Sequence, residues 1–288
     1  MALSFSSGDR SSLDIALLIL SRSVGILEPE LILIPVIALA ILLLRNMVPS
    51  LGELEISEHV AHPYGGINIY SKEFTTHGKA LFDICSRLLS IEKSDNILDI
   101  GCGTGRVLNH LSKTCKATGF EINEKYGRIA QERNNVIIKD YYNAEFNNKS
   151  SNKCHVGYTG FNDKTFNKTI GIALLNHQTP QDAKIIIEEA LRITKKNGLI
   201  LFTIFLINKF VLQQLHLPEI VFKFQSCGID HWATNVNRPN LNSAFDESVI
   251  RKTIISHGGQ LINPVFYGQW RGLTTGLTGH DIIVIRKS

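Results

Sequence analysis

Cysteine is scarce and carries no metal-binding spacing. Cys85, Cys102, Cys115, Cys154 and Cys227 are scattered, odd in number and form no CxxC pair. This argues against a disulfide framework and against a zinc site, and it points to a reducing compartment. Charge is also sparse. Charged residues make up 19% of 288, Lys plus Arg stand at 30 against 26 Asp plus Glu, and there is no dense basic block. The resulting +4 leaves no electrostatic footprint for a nucleic acid. No internal repeat is visible, and the one biased tract is an Asn/Lys-rich patch at 147–153. An unbroken apolar run of the about 20 residues needed to cross a bilayer is missing as well. Hydrophobic residues nevertheless reach 44%, enough for a sizeable core.

Most of the slight hydrophobic excess, a mean hydropathy of +0.05, lies in residues 1–50. Leu13–Leu20 reads LDIALLIL, and Leu31–Leu44 reads LILIPVIALAILLL with only Pro35 to interrupt it. Fourteen residues span roughly 21 Å as a helix. Extension back to Ile26 gives 19 residues but takes in Glu28, Pro29 and Glu30. Three readings stay open for this segment: a membrane anchor or in-plane helix pair at 13–44, a helical extension packed on the domain or a partner chain, and a cleaved signal peptide. The Ala38-Leu39-Ala40 triplet, inside the run rather than after it, speaks against cleavage. Residues 51–70, with Pro63 and Gly65-Gly66, read as a linker. From 71 to 288 helical and strand-like stretches alternate, which is the pattern of an α/β domain.

The most informative stretch is Asn96–Gly105, NILDIGCGTG. An apolar strand, Ile97–Ile100, runs into a glycine-rich turn, and a helix starts at Val107. Gly101, Gly103 and Gly105 alternate, and Asp99 stands two positions before the first. Such a turn brings backbone close to a ligand because no Cβ intervenes. A dinucleotide fingerprint GxGxxG would need glycine at 106, where Arg106 stands. Sixteen residues after Gly105, the short strand Ala117–Glu121 ends in a carboxylate suited to the two hydroxyls of a ribose.

This DxGxGxG turn followed by a strand-ending acid resembles the first two motifs of class I S-adenosylmethionine-dependent methyltransferases. The resemblance covers about Tyr70–Ser288, including Asn135–Lys139 before Asp140-Tyr141, Lys168–Leu174 before Asn176-His177, and a helix over Gln181–Ile193. The turn Thr194–Gly198 stands for a motif in which Lys196 replaces the usual proline and Asn197 a glycine. Asn tolerates a left-handed backbone, so that turn is expected to survive. A helix over Asp246–His257 and strands over Gln260–Trp270 and Asp281–Ile285 look like the closing hairpin of the bacterial small-molecule branch.

The resemblance implies a doubly wound, seven-stranded Rossmann-like sheet with a C-terminal antiparallel hairpin, preceded by the apolar N-terminal extension. It also implies S-adenosylmethionine as cofactor, held by Asp99, Gly101, Cys102, Gly103, Gly105, Glu121, Ile122, Asp140 and Tyr141, with no metal. Asp140 and Tyr141 are expected beside the adenine. His177, after the fourth strand, is the candidate base; its other reading is a helix cap or pocket wall. The long connection Asn208–Ala244, which carries His231 and Trp232, is expected to be a lid or a substrate contact, and Trp232, Tyr267 and Trp270 are either an acceptor wall or core aromatics. The expected reaction is methyl transfer to a small-molecule or lipid-like acceptor by a cytoplasmic protein in contact with a membrane through 13–44. The rivals are an RNA or DNA methyltransferase, which the absence of an NPPY-like tetrad at Asn176–Thr179 disfavours, and a non-catalytic scaffold on the same fold.

Overall fold

A computed structural model describes residues 71–153 and 157–288. The expectations for residues 1–50 and 51–70 lie outside these. Among the described residues no helix is long and apolar enough to cross a membrane.

The domain begins with α1 (Lys72–Leu89), capped by Ser71, whose Oγ accepts from the Phe74 amide at 3.1 Å. It buries Phe74, Leu81, Phe82, Cys85 and Leu89. Gly78 lies against the backbone carbonyl of Arg106, where a Cβ would overlap the oxygen. The helix is therefore seated directly on the glycine turn. Gly78→Val should cost about 1–3 kcal/mol through forced separation of the two. Urea unfolding reads this, and an unchanged midpoint would contradict the close approach.

There follow β1 (Asn96–Ile100), α2 (Leu108–Thr114), β2 (Lys116–Glu121), α3 (Glu124–Gln131), β3 (Val136–Ile138) and β4 (Phe166–Gly171). Next come α4 (Pro180–Ile193), β5 (Thr194–Ile204), β6 (Leu206–Ile207), α5 (Lys209–Gln214), β7 (Gln225–Gly228), β8 (His231–Ala233) and β9 (Ser243–Asp246). The chain closes with α6 (Glu247–Ser256), β10 (Gly259–Phe266) and β11 (Asp281–Lys287). The main sheet runs β10-β11-β5-β4-β1-β2-β3, parallel except for β11, which is antiparallel to both neighbours. This is the expected doubly wound, seven-stranded architecture. Its strands are nearly continuously apolar because helices cover both faces; Ile97, Leu98, Ile170, Ile200, Leu201 and Phe202 are all fully buried.

The stretch Thr194–Gly198, expected as a turn leading into the strand, is instead the irregular start of β5. Asn197 takes φ 62°, and the β4–β5 register slips between Phe166 and Lys168 to accommodate it. Two further expectations are corrected. The strand expected over Gln260–Trp270 stops at Phe266, and Gln269–Arg271 form a single 3-10 turn. The stretch Asn208–Ala244 is not a simple loop but the bulk of a second, four-stranded sheet ordered β6-β9-β8-β7. It has its own core of Phe205, Ile207, Val211, Ile220, Phe224 and Trp270. Trp270 is fully buried there and its Nε1 donates to Asp281 at 3.0 Å, so it forms no acceptor wall. Trp232 packs partly buried against the same cluster, and the Tyr267 hydroxyl donates to Glu247 at 3.0 Å.

Candidate functional site

Parallel pairing of β1 with β2 and β4 sets Asp99 beside Gly119 and Ile170, and the ends of these strands meet at one edge of the sheet. In doubly wound sheets ligands bind at this carboxyl edge. A cavity partly open to solvent lies there between the glycine turn, the end of β2 and the segment after β4.

The three alternating glycines have φ of 70°, 56° and 84° at Gly101, Gly103 and Gly105. Side chains rarely adopt this left-handed backbone. A Cβ on Gly101 would also lie 2.8 Å from Leu174 Cδ1. The turn is pinned to β2 by the amides of Gly101 and Cys102, which donate to the Phe120 carbonyl at 2.8 and 3.1 Å. Cys102 packs its sulfur over Gly119, and burial holds its thiol well above the ordinary range, so it is a compact turn residue rather than a nucleophile.

Glu121 organises the turn from the opposite strand. One carboxylate oxygen accepts from the Gly103 amide at 2.7 Å, and the other from Ile122 and Asn123, both at 2.8 Å. Burial raises its pKa against these three bonds. Asp99 is 3% exposed, lines the cavity and has no hydrogen-bond partner for its carboxyl among the described residues. Burial, then the charge of Glu121, pushes its pKa up to about 8, while Arg106 pulls it down. Arg106 itself lines the cavity and hydrogen-bonds His77 Nδ1 at 2.9 Å. Burial and Arg106 hold His77 at about 4, so its ring is neutral and accepts from the guanidinium.

His177 also lines the cavity, but as a pinned ring. Its Nδ1 faces the Asn240 carbonyl at 3.1 Å and is therefore the protonated nitrogen. Its Nε2 then accepts from Asn176 Nδ2 at 3.0 Å. Phe146 meets the ring edge-on at 4.8 Å, and Asn143 and Asn240 both donate to the His177 carbonyl. Thr179, not His177, caps α4. The one ring lone pair is thus already engaged.

Of the residues expected to hold the cofactor, Asp99, Gly101, Cys102, Gly103, Glu121 and Ile122 line the cavity. Gly105 supports the turn from behind, next to Ala130 and Asn134. Asp140 and Tyr141 do not reach it. Asp140 is exposed, with its carboxylate held by Asn147 Nδ2 at 2.9 Å. Tyr141 is buried in the main core, its ring 6.4 Å from Phe120. Missed by sequence reasoning were Arg106, noted only as a break in a pattern, and Phe146, Leu174 and Gln178, which the loops after β3 and β4 deliver.

Comparisons with known proteins agree with this geometry. Residues 97–198 match the family described as a methyltransferase domain. An uncharacterized protein of Methanocaldococcus jannaschii is 32% identical over 117 residues, 40% of this chain and 38% of that protein. The mitochondrial ubiquinone biosynthesis O-methyltransferase of Dictyostelium discoideum is 24% identical over 177 residues, 59% of this chain and 53% of that protein. The chain thus spans about half or less of the curated relatives it matches. A solved structure from Pyrococcus horikoshii shares the fold at TM-score 0.53 and 15% identity, covering 80% of this chain and 97% of the other. Residues 97–198 thus match a methyltransferase-domain family, on a fold shared with that solved structure.

Proposed function

We propose that the protein transfers a methyl group from S-adenosylmethionine to a small-molecule or lipid-like acceptor. The observation that carries this is the pairing of two buried carboxylates, Asp99 and Glu121, across three left-handed glycines in one cavity. Asp99, whose carboxyl has no hydrogen-bond partner among the described residues, beside a left-handed glycine turn in the cavity suits an ammonium-bearing ligand held against backbone. In this reading Asp99 takes the ammonium of the methionine part and Glu121 the ribose hydroxyls, while Gly101–Gly105 wrap the chain between them. Ile122, Phe146 and Leu174 supply apolar walls, with Asp140 and Tyr141 left outside. When bound, the cofactor supplies an electrophilic methyl group on a sulfonium. The protein's part is to orient the acceptor and keep water out. The ubiquinone-pathway relative is an O-methyltransferase, which supports a small-molecule acceptor.

A proton balance follows from Asp99. Its carboxyl, near 8 in the free protein, is mostly protonated at pH 7. A bound ammonium favours the carboxylate, so binding at pH 7 should release close to one proton per cofactor. Calorimetry in buffers of different ionisation heat measures this. Release should vanish in Asp99→Asn, and unchanged release in that variant would refute the pairing. The function is tested by incubating the full chain with methyl-labelled cofactor and a small-molecule and lipid extract. Labelled product that survives ribonuclease and protease supports it; label confined to RNA or protein overturns it. The protein's place in this reading is the cytoplasm, with residues 13–44 as its bilayer contact. Co-sedimentation of the full chain with liposomes checks this, and a chain left wholly in the supernatant removes it.

A further inference from the structure

Among the described residues that line the cavity there are two carboxylates, Asp99 and Glu121, and a single lysine or arginine, Arg106. Both acids have a ligand group in the proposed function; the guanidinium has none. Arg106 directly follows the last glycine of the turn, as Asp99 stands just before the first, so opposite charges flank one stretch of backbone.

Two consecutive residues of α1 hold Arg106. Gly78 closes on its main chain and stem: a Cβ there would lie 2.4 Å from the Arg106 carbonyl oxygen and 2.9 Å from its Cγ. His77 fixes the head, with Nδ1 2.9 Å from a guanidinium nitrogen. That ring is neutral, so the bond orients the guanidinium without neutralising it. A guanidinium carries five donors in a planar fork suited to the two oxygens of a carboxylate, and the bond to His77 uses one of them. The Asp99 carboxyl feels the Arg106 charge, yet no ion pair or hydrogen bond joins the two. An acid and a base set this way, near but not bonded, suit a ligand that carries an ammonium and a carboxylate on one carbon.

We infer that Arg106 receives the carboxylate of the methionine part of the cofactor, so that the site selects a complete α-amino acid, and that His77 is the positioning residue that aims the guanidinium. This rests on the methyltransferase reading. A cofactor without the carboxylate would lose the paired N–H donors and bring its ammonium up to a like charge.

The test titrates the full chain with S-adenosylmethionine and with its decarboxylated form, which differ in that carboxylate alone. Methylthioadenosine, which lacks the amino acid altogether, is the control. The wild type should prefer S-adenosylmethionine over the decarboxylated form by about tenfold or more. Arg106→Met keeps the stem and removes the charge. It should bind methylthioadenosine as the wild type does and hold the other two within about threefold of each other. His77→Ala should lose part of the preference, and His77→Gln, whose side-chain oxygen can accept from the guanidinium, should restore it. A wild type that binds both forms equally, or a preference that survives in Arg106→Met, overturns the inference and leaves the cofactor reading standing. So does an Arg106→Met loss that is equal for all three ligands, the sign of a merely structural role. A full preference kept in His77→Ala removes the positioning role. Failure of the wild type to bind any of the three overturns the cofactor reading too.

Discussion

Replacing Glu121 by alanine is expected to weaken S-adenosylmethionine binding by about two orders of magnitude or more. Two effects add. The carboxylate that would accept both ribose hydroxyls is lost, and hydrogen bonds to a charged acceptor are worth about 1.5–3 kcal/mol each. The amides of Gly103, Ile122 and Asn123 also lose their acceptor, so the turn that shapes the cavity is no longer tied to β2. About 2.7 kcal/mol already corresponds to a hundredfold change. Glu121→Gln should fall between, because its amide group must face a backbone donor at one end. Calorimetry with S-adenosylhomocysteine reads all three proteins. An alanine variant that stays folded and binds within about threefold of wild type would remove Glu121 from the cofactor site.

The largest stability effect is expected at Asp281. This residue is fully buried and gathers five donors: two amides, the Trp270 indole and two nitrogens of Arg271, all between 2.7 and 3.1 Å. Arg271 also donates to the Leu206 carbonyl at 2.6 Å and stacks its guanidinium 4.0 Å from the Tyr267 ring centre. Burial pushes the Asp281 pKa up, and Arg271 opposes it. Together they lock the β10–β11 connection to the start of the second sheet. Asp281→Asn leaves the Arg271 charge buried without its counter-ion and should cost about 3–5 kcal/mol. Chemical unfolding checks this. The double variant Asp281→Asn with Arg271→Met should recover part of the loss, since no charge is then stranded. A single variant within about 0.5 kcal/mol of wild type would contradict the account.

Local pattern and long-range packing divide what the sequence discloses. The turn Asp99–Gly105 is legible because three left-handed positions demand glycine in a fixed short spacing, and all three are observed. Glu121 is legible because it ends a strand that must lie beside the first. The sheet order follows from the same family pattern. Asp140 and Tyr141 hold the family's place after the third strand but are not among the residues lining the cavity. β3 ends at Ile138, Asn147 draws the Asp140 carboxylate outward, and Tyr141 falls onto Phe120 in the core. The second sheet was hidden for a different reason. Its β7 and β8 are four and three residues long, and β7 is mostly exposed, so neither shows an apolar alternation. The Asp281 cluster joins residues up to 75 positions apart, and no local spacing marks it. Residues 13–44 are apolar enough to notice and lie outside the described residues.

The central claim is that the glycine-turn cavity binds S-adenosylmethionine. Calorimetric titration of the full-length wild-type protein with this cofactor tests it most directly. The account predicts saturable binding at one site per chain, accompanied at pH 7 by proton release. The absence of any saturable binding by folded protein would contradict it.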